Sequence, residues 1–198
     1  MGKVGTGFSM SLDGFIAGPD GDVGPLFDWY FGGDTEYTMP SGGITLKVSP
    51  HSAELLRESH AKTGALVVGR RHLDHAGGWG GRHPMDLPVF VVTHTVPQEW
   101  VYEGSPFTFV TDGVESAVER ARAVADDKDV GVGGANVAQQ CIKAGLVDEI
   151  GIDLVPVLLG EGVRFFDRLG AEQIELERTR VIESPGVAHL RFRVIKEN

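Results

Sequence analysis

The chain has 198 residues, 41% hydrophobic and 23% charged, the profile of one globular domain rather than of a disordered or fibrous protein. A formal charge of −10, from 18 Lys and Arg against 28 Asp and Glu, argues against the basic stripe that an extended nucleic-acid contact needs. One cysteine, Cys141, excludes an intrachain disulfide, and nowhere do about 18 apolar residues run together as a membrane span requires, so a reducing cytoplasm is the expected setting.

Along the chain, short β-branched apolar runs alternate with helical patterns, the signature of βαβ units around a parallel sheet. A first strand is expected over about 3–11, and residues 18–48, rich in Gly and aromatics, read as a long irregular region. Ser49 offers an N-cap with Pro50 at the first helical position, and Leu55 and Leu56 give that helix an apolar face to about His60. Strands follow at about 65–68, 88–92 and 107–110, the first two apolar throughout as in strands covered on both faces. Asp112 with Glu115 resembles a capping box for a helix that buries Val114, Ala117, Val118, Ala121 and Val124. A strand over 129–132 leads to a helix over 135–144 that stops at Gly145. Beyond it, 149–158 reads as one strand, and 173–183 with 187–196 as a hairpin around Ser184-Pro185-Gly186, with Leu190, Phe192 and Val194 on one face. The expected fold is a single α/β domain over 1–198. Its three layers are a mostly parallel sheet with helices on both faces and an antiparallel C-terminal hairpin.

Three strand ends carry residues suited to a nucleotide, and open α/β sheets bind ligands beyond the carboxyl ends of their strands. Gly69-Arg70-Arg71 places two guanidinium groups at a helix start, where free N–H groups add positive potential; a solvated Arg pair is the alternative. Thr93-His94-Thr95 offers hydroxyls and an imidazole, or an ordinary turn. Gly133-Gly134-Ala135-Asn136-Val137 lets backbone N–H groups close on a pyrophosphate, or else lets a helix pack close to its strand. Asn136 stands where the third glycine of G-x-G-x-x-G would be, which disfavours a Rossmann site.

The segments SMSLDGFIA at 9–17, VVGRR at 67–71, FVVTHT at 90–95, VGGANVAQQCIKAGLVDEI at 132–150 and LVPVLLGEGVRFF at 154–166 occur together in this order. In them the chain resembles a stand-alone member of the dihydrofolate-reductase-like family that includes the riboflavin-biosynthesis reductase domain. The resemblance runs from about 3 to 167, with GLVDEI followed by PVLLGEG its most specific part. It implies a dihydrofolate-reductase-like fold, a homodimer, and NADPH lying across the strand ends. It also implies hydride transfer to a C=N or similar bond of a small pteridine-like or pyrimidine-like heterocycle. By motif position, Gly69, Arg70 and Arg71 would hold phosphate, and Thr93, His94 and Thr95 would border the adenosine 2′-phosphate. Gly133, Gly134, Ala135, Asn136 and Val137 would cradle the pyrophosphate, and the backbone of Ile16 and Ala17 would meet the nicotinamide amide. Riboflavin-pathway members carry an acidic residue where this chain has Val132, and Lys or Arg where it has Phe15. Their Asp-Asp-Pro-rich segment is replaced by His72 to Trp79. These departures point away from the riboflavin intermediate as substrate.

Reducing a C=N bond also needs a proton donor, and Asp13 and Glu54 are the two candidate acids. A turn former before Gly14 and a solvated helix position are their respective alternatives. Phe15, Phe27 and Trp29 are candidates to stack on a flat substrate ring, although aromatics also serve as plain core. His72, Asp74, His75, His83 and Asp86 lie in a Gly-rich stretch that does not position them as ligands, so no metal is expected. A nucleotide-binding or regulatory protein that keeps the fold without turnover is the alternative to a reductase.

Overall fold

A computed structural model of the chain describes residues 2–196. β1 (Val4–Ser11) and the short β2 (Phe15–Ala17) precede a 3-10 helix at Gly24–Tyr30, a hairpin of β3 (Thr35–Thr38) and β4 (Thr45–Val48), and α1 (Pro50–Lys62). β5 (Thr63–Gly69), α2 (Arg70–His75), β6 (Val89–Val92), β7 (Phe107–Val110), α3 (Val114–Ala125), β8 (Asp129–Gly133) and α4 (Ala135–Lys143) follow. β9 (Glu149–Val155), β10 (Val163–Arg164) and the hairpin of β11 (Leu176–Ser184) and β12 (Val187–Val194) complete the order.

Eight strands form one sheet in the order β11-β12-β9-β1-β8-β5-β6-β7. The six from β9 to β7 are mutually parallel, whereas β12 runs antiparallel to β9, and β11 to β12. The expected α/β sheet with its antiparallel C-terminal hairpin is therefore the observed one. Alternation along β5 explains the layers: Ala65 and Val67 face a core built with α3 and α4, while Leu66 and Val68 face one built with Leu73 of α2. A third cluster lies where Trp29 and Ala53, from the 3-10 helix and α1, meet Val155 and Val187. Leu190, Phe192 and Val194 of β12 pack together against the α3/α4 core, as their shared face requires.

Local chemistry sets the helix ends. Ser49 caps α1, its hydroxyl accepting from Ser52 N–H at 3.1 Å. Gly145, at φ +68, closes α4 in a Schellman motif, with Leu146 N–H on the Cys141 carbonyl and Gly145 N–H on that of Ile142.

Four expectations are corrected. Residues 18–48 are not irregular, since they hold the 3-10 helix and the β3/β4 hairpin. Gly113, at φ +106, takes the N-cap of α3 in place of Asp112, so no capping box forms; the Asp112 carboxylate instead accepts from Arg120 at 3.2 Å. Val124 is 54% exposed because the buried stripe of α3 passes to Ala125. Finally, β9 stops at Val155, one residue before Pro156, whose missing N–H cannot continue a ladder.

Candidate functional site

The parallel register brings the three strand ends into one row. Val68 of β5 pairs with Gly133 of β8, and the next residue, Gly69, pairs with Val92 of β6, directly before Thr93. The three strand ends singled out in the sequence are therefore neighbours in the sheet.

The row is closely packed around glycines. A Cβ on Gly133 would come within 3.1 Å of the His72 ring, and one on Gly69 within 3.0 Å of Val137 Cγ2. Gly134, the N-cap of α4, has φ +87, a conformation that L side chains avoid. Behind it, Ala135, Asn136 and Val137 form the first turn, whose N–H groups have no intrahelical partner and whose dipole favours an anion. Val137 itself is buried, so only its backbone faces that anion, and exposed Asn136 accepts from Gln140 at 2.7 Å. These glycines serve close packing on His72 and Val137, and the free N–H groups at the start of α4 are what would fit a dinucleotide phosphate.

Arg70 is engaged, its guanidinium donating to Asp74 at 2.6 Å and to Glu99 at 3.2 Å. Arg71 is exposed and has no ion pair among the described residues. Thr93 is buried and closes a tight turn, its hydroxyl donating to the Thr95 carbonyl at 2.8 Å, while His94 and Thr95 are exposed. Ile16 and Ala17 are buried in β2, where Ala17 pairs with Val163 of β10.

Beside the cradle, residues 77–81 trace a left-handed turn in which Trp79, at φ +50, is held between glycines. Its indole meets His72 and His83 edge to face, with centroids 5.5 and 4.5 Å away. Burial pushes the His83 imidazole down to about 4 and lowers those of His72 and His60. The Nδ1 of His72 is buried with no hydrogen-bond partner among the described residues. Among the described residues, no three His, Cys, Asp or Glu side chains are arranged to hold a metal ion.

Neither candidate acid is built as a proton donor. Asp13 accepts from the Ser11 hydroxyl at 2.6 Å and from the backbone N–H groups of Leu159 and Gly160 at 3.1 and 2.7 Å. Those bonds, Ser11's foremost, hold its carboxyl at about 2, so it is ionised at neutral pH and anchors a loop. Glu54 is exposed on α1, while its neighbours Ala53 and Leu55 face inward. The aromatics divide as well. Phe15 is 4% exposed under the Arg164 guanidinium, 4.4 Å from its ring centre. Trp29 is core, stacked on Tyr30 and donating Nε1–H to Ser9 at 3.0 Å, so of the three only Phe27, 40% exposed, remains open.

The sequence reading missed a polar network on the sheet face covered by α1. Ser52 Oγ lies 2.8 Å from His189 Nε2, His189 Nδ1 lies 2.8 Å from Asp153 Oδ1, and Arg191 Nη1 donates to the same oxygen at 2.9 Å. Burial alone would raise the Asp153 carboxyl, but His189 and Arg191 outweigh it and hold it below the ordinary carboxylate range. The available signal was an isolated Asp in the apolar run EIGIDLV.

The RibD C-terminal domain family matches residues 3–189. The chain belongs to that family. A protein of Bacillus subtilis (strain 168), YwjB, whose function is uncharacterised, is 24% identical over 184 residues, 87% of each chain. A riboflavin biosynthesis protein of Shewanella sp. PV-4 superposes with a TM-score of 0.76 at 20% identity, over 98% of this chain and 99% of that one. A pyrimidine reductase-like protein of Corynebacterium diphtheriae gives 0.65 at 13% identity, over 99% and 93%. A Thermotoga maritima diaminohydroxyphosphoribosylaminopyrimidine deaminase/5-amino-6-(5-phosphoribosylamino)uracil reductase gives 0.62 at 15% identity, over 98% of this chain and 57% of its own. The RibD C-terminal fold is thus found here and in proteins of similar length.

Proposed function

We propose that this RibD-type domain is an NADPH-dependent reductase that transfers hydride to a C=N or similar bond of a small pyrimidine-like or pteridine-like ring. The observation that carries the reading is the single row of Gly69, Thr93 and Gly133-Gly134 at the N-terminus of α4, in a chain of the RibD C-terminal domain family. When bound, the nicotinamide supplies the hydride. The chain's part is to hold the pyrophosphate on the α4 amides, to offer Arg70 and Arg71 to phosphate, and to border the 2′-phosphate with Thr93, His94 and Thr95. Arg70 exchanges its Asp74 and Glu99 partners for that phosphate. No helix among the described residues is long and apolar enough to cross a membrane. We place the protein in the cytoplasm, as a homodimer.

NADPH at 100 times its Kd should stabilise the fold by about 2.7 kcal/mol, read as a rise in Tm. An unchanged Tm overturns the cofactor assignment. Arg70→Ala and Arg71→Ala should weaken NADPH much more than NADH in fluorescence titrations, and equal losses refute the 2′-phosphate role. One observation favours a second reading, nucleotide binding without turnover: Asp13 and Glu54 are both placed away from proton donation. NADPH that binds yet is never consumed with dihydrofolate, pterins or aminopyrimidines would select it.

A further inference from the structure

The network of Ser52, Asp153, His189 and Arg191 has no part in the cofactor reading, and its geometry is that of a recognition site. Ser52 and His189 are each 1% exposed, so the imidazole is fixed between the α1 hydroxyl and the carboxylate. His189 and Arg191 both take Oδ1 of Asp153, leaving Oδ2 without a hydrogen-bond partner among the described residues on a side chain that is 16% exposed. Arg191 spends only Nη1, on Asp153 and backbone carbonyls, so its Nε–H and Nη2–H groups are unused on a side chain 28% exposed. An ionised acceptor and a cationic donor are thus held side by side, each with free valence.

The 3-10 helix covers part of the surface beside them, with Trp29 edge-on to the His189 ring and bonded to Ser9, which is 5% exposed; the sheet is bare farther along, at Gly7. Ser9 pairs with Asp153 and Gly7 with Gly151, so these residues share one face with His189 and Arg191. Gly7 is exposed although β1 is flanked by strands on both sides, and the Arg191 guanidinium lies across Gly151, 3.3 Å from where a Cβ would stand. One residue beyond the pairing of Thr6 with Val132 stand Gly7 and Gly133, the latter in the cofactor cradle. From Gly151 across Gly7 to Gly133 is two strand spacings, roughly 10 Å, the length of a bicyclic heterocycle.

Resting on the reductase reading, we propose that Asp153 and Arg191 together recognise the lactam edge of the substrate ring. A ring N–H donates to Asp153 Oδ2, and the adjacent carbonyl oxygen accepts from Arg191. The ring lies on the backbone at Gly7, between this pair and the cradle at Gly133. An acceptor beside a donor is the chemical complement of the –NH–C(=O)– unit of a uracil-like or pterin-like ring, and the site rejects a ring whose nitrogens are methylated, because Oδ2 then gains no donor.

Calorimetric titration of the full chain, apo and saturated with NADPH, with 6-aminouracil and with 1,3-dimethyl-6-aminouracil tests this. The wild type should bind the N–H compound at least about tenfold more tightly than the methylated one. Asp153→Asn should lose that preference while keeping its NADPH affinity within about twofold. Equal wild-type affinity for the two compounds, or binding of neither, overturns the proposal without recourse to a variant that fails to fold. An unchanged preference in Asp153→Asn overturns it as well. Failure to bind NADPH, read separately, refutes the cofactor reading, and the apo titration still decides the role of Asp153.

Discussion

At the scale of single residues, the acids show how burial and partners assign chemistry that residue type leaves open. Asp13 and Glu54 have the right functional group at suggestive chain positions, yet one carboxylate is spent on two backbone amides and the other faces outward. Which side of α1 faces the sheet is set by Ala53 and Leu55, so Glu54 between them points away and Ser52 reaches His189. Asp153 escaped notice because its partners arrive from β12, 36 and 38 residues on. For Asp13, the folded carboxyl at about 2 lies below its ordinary 3.8. A depressed carboxyl stabilises the fold above its unfolded value and loses that contribution as pH falls through the folded one. Tm should therefore decline between about pH 4 and about pH 2 by an amount that Asp13→Asn reduces. An acid limb identical in both proteins would refute the anchoring role.

At the scale of elements, alternation and capping made most strands and helices legible, and the failures share a cause. The β3/β4 hairpin and the left-handed turn at 77–81 lie in Gly-rich sequence, where weak local preference leaves the conformation to tertiary contacts. Gly78 shows the constraint: at φ +57, an added Cβ would come within 2.3 Å of the Trp100 ring. Gly78→Ala should cost at least about 2 kcal/mol in chemical denaturation, combining left-handed strain with overpacking. A loss below about 0.5 kcal/mol would mean that the turn is not held as described. Since this turn carries Trp79 against His72, and His72 against Gly133, the same variant should also weaken NADPH.

At the scale of the molecule, the sheet is assembled from strands far apart in sequence, with β1 lying between β8 and β9 and β11 closing one edge with mostly exposed residues. Amide exchange should be slowest in β1, β5 and β8 and fastest in β11, because local opening is easiest where backbone pairs on one side and few side chains are buried. Protection of β11 equal to that of β1 would contradict this order and locate a subunit interface on that edge. The sequence by itself determined the parallel α/β class, most element positions, the three strand ends rich in glycine or polar residues and the family, because apolar periodicity and turn chemistry are local. Only the tertiary structure decided which strand ends stand in one row, which acids keep a free oxygen, and which aromatics are core. Those properties depend on register and on which helix face meets the sheet, set by contacts such as Ser9 with Asp153 across two strands more than a hundred residues apart in sequence.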